Sequence, residues 1–191
     1  MVKARNLRNG KMLAGSGVAL AVLALAGCGG TAQTEARAAS ACPQVTILSD
    51  AAELTRFRAG GGRNPTDIEL TASLTEVQSR CDPAPGGAGL DIILAPAFTA
   101  ERGPAARGPT AEIPYMVAVV DEGEGQILSR AAYTLAVQFP SRASRSRSEG
   151  EELAIRIPGD LQAAAGKSIL LGFVLTPEQL SRNRGVAASG R

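Results

Sequence analysis

A chain of 191 residues carries 20 lysines and arginines against 18 aspartates and glutamates and no histidine, so imidazole bases, Ser-His-Asp and Cys-His arrangements and histidine metal sites are excluded. Aromatic residues make up 3% of the sequence and tryptophan is absent, which leaves few platforms on which nucleic-acid bases could stack. The length suits a single domain with a core of useful size.

The first 27 residues read as a processing signal. Lys3, Arg5, Arg8 and Lys11 form a positive start, and residues 12–27 follow without a charge. That apolar stretch is shorter than the ~20 residues a membrane-spanning helix needs, and a signal peptide fits it. Removing residues 1–27 takes away four bases and no acid, leaving 16 against 18 and a formal charge of −2. The basic character sits in the leader, and a nucleic-acid partner loses its electrostatic support.

Leu25-Ala26-Gly27-Cys28 resembles the lipobox of bacterial lipoproteins, an aliphatic residue and two small ones before a cysteine. The resemblance implies diacylglyceryl transfer to the Cys28 sulfur, cleavage before Cys28 and acylation of the new amino terminus. Small residues at the cut let a peptidase reach the backbone, and sulfur supplies the nucleophile. Two or three acyl chains, at ~0.8 kcal/mol per buried methylene, hold a protein on a bilayer where one chain does not. The same resemblance, with Gly29 rather than aspartate after the cysteine, implies the outer membrane, facing the periplasm. Residues 28–41 are small and polar with no apolar face and read as a tether, reaching ~40 Å when extended.

From Cys42 onward the hydrophobic period is two rather than 3.6. Strands are expected at residues 45–48, 67–79, 90–98, 113–120, 132–139, 153–157 and 168–175. Breaks rich in glycine and proline separate them at 60–65, 82–87, 102–104 and 158–160, and Asp121-Glu122-Gly123-Glu124-Gly125 suits a hairpin turn. About seven strands with no alternating helices predict an all-β fold, an antiparallel two-sheet sandwich of Ig-like or related topology over residues 42–184. Thr176-Pro177-Glu178-Gln179 carries a capping hydroxyl, a proline at the first helical position and a glutamine three residues after the cap. These signals predict a short helix to Arg184 that covers a sheet end, followed by a frayed tail over 185–191.

Cys42 and Cys81 are the other two cysteines, and export would place them in an oxidising compartment. Cys42 opens the first strand and Cys81 closes the second long one; if those strands lie antiparallel and adjacent, the thiols meet at one end of a sheet. A disulfide is predicted. A redox or metal pair would need CxxC spacing or further ligands, and neither is present.

Other chemistry meets obstacles. Lys167 is the only lysine after the leader, and Ala164 stands where an SxxK serine would be. Gly166-Lys167-Ser168 shares the end of a phosphate-binding loop, but Leu161 occupies the place of its first glycine and a strand follows where a helix is required. A turn entering the last strand is the simpler reading. Glu101 and Glu112 flank a loop of glycine and proline and are the best acid–base pair for a glycan hydrolase, if they face each other across ~5–10 Å. Asp121, Glu122 and Glu124 lack the DxDxDG order of a calcium loop. The Arg/Ser run from Ser141 to Ser148 could touch anionic headgroups, yet Glu149, Glu151 and Glu152 cancel much of its field, and a solvated loop between strands is expected.

Five stretches together are similar to an uncharacterised group of proteobacterial envelope lipoproteins: Cys42-Pro43-Gln44-Val45-Thr46-Ile47-Leu48, Pro65-Thr66-Asp67-Ile68, Ala97-Phe98-Thr99-Ala100-Glu101-Arg102-Gly103-Pro104, Ile113-Pro114-Tyr115-Met116-Val117-Ala118-Val119-Val120-Asp121 and Gly172-Phe173-Val174-Leu175-Thr176-Pro177-Glu178-Gln179-Leu180. That resemblance brings no activity or binding residues with it. The sequence therefore points to a non-enzymatic interaction or assembly module anchored through Cys28, offering loops or a sheet edge to another envelope protein, with no cofactor and no nucleic acid. The alternative is a carboxylate-based hydrolase acting on cell-wall glycan.

Overall fold

The computed structural model describes residues 41–189. The leader, Cys28 and nearly all of the tether fall outside them. Among the described residues nine strands form two sheets: β1 (Gln44–Ile47), β2 (Glu53–Phe57), β3 (Ile68–Pro83), β4 (Gly89–Arg102), β5 (Thr110–Asp121), β6 (Gln126–Gln138), β7 (Arg145–Glu149), β8 (Leu153–Pro158) and β9 (Lys167–Phe173). One sheet runs β1-β9-β5-β6; the other runs β2-β3-β4, with β7 and β8 pairing one after the other along the far side of β4. Neighbours are antiparallel except β1 and β9, which run parallel. The fold is the all-β two-sheet sandwich that the period-two pattern predicts.

Alternation builds the core. Ile113, Tyr115, Val117 and Val119 of β5 share the inner face with Ile169, Leu171 and Phe173 of β9 and meet Leu70, Leu90, Ile92, Leu94 and Phe98 of the facing sheet. Phe98 sits at the centre, its ring centroid 5.0 Å from that of Tyr115 and 5.9 Å from that of Phe173. Tyr133 of β6 stacks on Tyr115 at 5.4 Å and carries this aromatic row out to the rim. Arg156 of β8 holds Asp91 of β4 through two hydrogen bonds of 2.6 and 2.7 Å.

Several elements differ from expectation. Cys42 and Cys81 are joined by a disulfide, but their strands are not neighbours in one sheet. β3 is flanked on both sides by β2 and β4, and the short β1 pairs with β9, so the bond ties one sheet to the other. The Arg/Ser run ends as a strand rather than a solvated loop. In β7 the serines are half-buried while Arg145 and Arg147 point to solvent and pair with Glu101 and Glu76, each at 3.3 Å, so charge and extended backbone are compatible. β2 escapes the pattern because Leu54 is its single fully buried residue. A one-turn helix, α1 (Leu161–Ala165), also escapes it; the Asp160 carboxylate caps it by accepting from the Ala163 N–H at 2.7 Å.

The C-terminal helix, α2 (Pro177–Ser189), starts where predicted, with a reciprocal cap: Thr176 Oγ1 accepts from the Gln179 N–H and Gln179 Oε1 accepts from the Thr176 N–H. It continues past Arg184, so residues 185–189 are helical rather than a frayed tail. Gly185 costs about 1 kcal/mol relative to alanine, a penalty that the docked turn before it tolerates. That turn lies beside β2 and the 3-10 turn Ser49–Ala51, so the helix covers the side of a sheet and not its end. The 3-10 turn in turn crosses the outer face of β9 at Gly172, where a Cβ would stand 2.7 Å from that of Ala51. Only glycine allows that approach.

Candidate functional site

The acidic candidates are dispersed. Glu101 lies on β4 and bonds Arg145. Glu112 lies on β5, in the other sheet, and lines a cavity of about 360 Å³ with Glu69, Arg56 and Arg102, whose walls do not include Glu101. Arg102 is a brace in that cavity: its guanidinium donates to the Ala143 and Gly108 carbonyls and lies 5.4 Å from the Phe139 ring centroid.

Asp121 closes the β5–β6 hairpin. Its Oδ1 accepts from the N–H groups of Gly123 and Glu124, and its Oδ2 accepts from Lys167 Nζ at 2.6 Å. Lys167 thus ties the start of β9 to the hairpin, and Gly166-Lys167-Ser168 is a turn entering that strand. The Lys167 hydrogen bond foremost, and the Glu124 N–H after it, hold the Asp121 carboxyl below its ordinary pKa. A carboxyl with a depressed folded pKa contributes stability that is complete above the unfolded value near ~4 and lost as the pH falls through the folded one. Asp121→Asn is therefore expected to unfold at lower temperature at neutral pH and to lose less stability than the parent on acidification below about pH 4. Thermal melts across a pH series check this; parallel acid profiles would contradict it.

An open edge presents unpaired N–H and C=O groups to any passing strand, and proteins shorten, charge or cover such edges. β1 has four residues and β8 six, ending on Pro158, while β7 carries three charges in five residues. β2 is covered by α2: Gln179 Nε2 donates to the Thr55 carbonyl at 3.0 Å, Asn183 Nδ2 donates to the Glu53 carbonyl at 2.8 Å, and the Arg182 guanidinium lies 4.8 Å from the Phe57 ring centroid.

β6 is less protected: it carries a single charge, Arg130, and one pairing irregularity, at Leu128 between the partners of Val119 and Val120. It is 13 residues long and pairs with β5 on one side; among the described residues no strand pairs with its other side. Only near its end does Ser146 Oγ reach over to donate to the Gln138 carbonyl. Residues 126–132 are exposed without exception, including Ala131 and Ser129, which share the inner face with Val117 and Val119. The facing sheet does not extend over them. Ile127 and Leu128, 63% and 50% exposed, are the large apolar side chains most open to water among the described residues.

Cavities flank this strand. Around the edge of β6, Tyr115, Tyr133, Thr134, Leu135 and Ala136 line about 350 Å³ together with Glu149 and Glu151. Burial above all, then the nearby Tyr133 and Glu151, raises the Tyr115 pKa, so its phenol stays protonated there. On the outer face, Arg130 borders about 370 Å³ lined by Leu48, Met116, Leu175 and Leu180, closed at one end by the 2.9 Å bond from Arg184 to Asp50. Sequence reasoning placed this strand at 132–139 and missed its first half; the adjacent Ile127 and Leu128 directly after a hairpin turn were the available signal.

No protein-family model, no curated protein and no solved structure matches the chain.

Proposed function

We propose that the protein is a lipid-anchored envelope lipoprotein that acts without catalysis, as a docking module held near a bilayer by acylated Cys28. The lipobox-like Leu25-Ala26-Gly27-Cys28 supports the anchor, and the tether that follows supports a domain able to stand off the membrane. Gly29 favours the outer membrane, with the domain facing the periplasm.

The observation that carries the docking role is the β6 edge, which among the described residues has no strand or helix against it where the other edges are short, charged or capped. A strand-adding partner obtains affinity from main-chain hydrogen bonds and specificity from alternate side chains, and both are on offer there. Anchoring raises the effective concentration of the module for a partner in the same envelope.

A photo-crosslinking residue at Leu128 tests this in intact envelopes, with the same residue at Arg145 on β7 as the reference. One discrete crosslinked species from position 128, absent from position 145, is the expected result. No product at 128, or the same products from both positions, would overturn the docking role.

A further inference from the structure

Resting on the docking role of β6, we propose that its occupant is an extended segment of a different protein that places carboxylates on the outer face of the sheet and uncharged side chains on the inner face.

Backbone geometry comes first. From Ser129 onward, past the register shift at Leu128, every second residue of β6 turns its N–H and C=O away from β5, so a segment paired with about six of these residues gains about six hydrogen bonds. Side chains on the added strand then alternate between the two faces, and those directly across lie ~5 Å from their β6 neighbours.

Charge selects the outer face. Arg130 is the only charged residue of β6 and makes no ion pair among the described residues, whereas most arginines of the domain do. It sits opposite Ala118 of β5, and its surroundings in the outer cavity are largely apolar, with Met116 and Leu180 among them. A carboxylate across from Arg130 would be attracted, modestly because the arginine is exposed and the pair is screened by salt. A lysine or arginine there would be repelled.

Shape and charge select the inner face differently. The cavity beside Tyr133 and Tyr115 is walled by Leu135 and Ala136 together with Thr134, Glu149 and Glu151, so its carboxylates oppose another on that face and leave uncharged side chains as the ones it admits. Acid outward and uncharged inward is a period-two requirement, so a one-residue slip of the incoming strand places every side chain wrongly. This fixes register as well as identity.

A second copy of the chain fits less well. β6 contains no aspartate or glutamate, so pairing it with itself brings two Arg130 residues to one ladder with no counter-charge.

The test uses the full-length protein in detergent and two synthetic octapeptides, one alternating glutamate with valine and the other lysine with valine, read by amide hydrogen exchange and by titration. The expected result is slowed exchange over residues 126–132 with the glutamate peptide and about tenfold weaker binding of the lysine peptide, the preference reversing in Arg130→Glu. Equal binding of both peptides, or no reversal in the variant, would overturn the acidic chemistry. Protection of β6 through self-association, seen as a dimer in sedimentation, would overturn the choice of a foreign partner. Binding of neither peptide would overturn the proposal, while the Leu128 crosslink judges the docking role by itself.

Discussion

Replacing Cys42 and Cys81 together by serine is expected to lower stability by about 4 kcal/mol, the loop-closure entropy returned to an unfolded chain whose crosslinked residues are 39 apart in sequence. For a domain of this size that corresponds to a fall in Tm of roughly 8–16 °C. The position of the bond makes the effect more than a local one. Cys42 precedes a four-residue strand that joins its sheet by one side only, and Cys81 belongs to the longest strand of the other sheet, so the bond fastens a weak edge to a strong element. Thermal unfolding with and without reductant, on the parent and on the double variant, measures the difference. The parent under reductant should approach the variant, and a change below about 1 kcal/mol would show that the bond is dispensable to the fold.

Phe98→Ala is expected to cost about 3–5 kcal/mol, comparable to the disulfide and by a different mechanism. The ring is 0% exposed and touches both sheets, through Tyr115 and Phe173 on one side and its own strand on the other. Gly150, in the connection from β7 to β8, passes so close that a Cβ there would meet Phe98 at 3.2 Å and Pro96 at 2.9 Å. Truncating the ring removes its transfer free energy and leaves a void that this tightly drawn backbone fills poorly, which places the cost toward the upper part of that range. Denaturant unfolding gives the value. A loss below about 1 kcal/mol would mean that the sheets close over the gap and that Phe98 does not organise the core.

What could be read from the chain, and what could not, divides on whether a strand has a covered face. β5 and β9 alternate because one side of each lies against the core, and their positions follow directly from Ile113, Tyr115, Val117, Val119, Ile169 and Leu171. β7 alternates too, but between arginine and serine, a pattern that carries no hydrophobic signal of a strand. The Thr176 cap was legible because its chemistry is local and needs no tertiary partner. The partners of Cys42's strand were not legible, because sheet order depends on contacts far apart in sequence.

The candidate site was hidden for a physical reason. Residues 126–132 show no hydrophobic period because neither face of that stretch is buried, and the absence of cover that erases the pattern also leaves the edge open. Arg130 is likewise silent in the sequence, where it is one arginine among many. Its meaning comes from having no ion pair among the described residues and bordering a cavity whose walls are assembled from Leu48, Met116 and Leu180.

Whether the domain works from a membrane is decided by the intact mass of the native protein extracted from cell envelopes. The proposal predicts a chain that begins at Cys28 and carries diacylglyceryl on its sulfur together with an acylated amino terminus. An unmodified sulfur at residue 28, or a mature form recovered free in the cytosol, would contradict it.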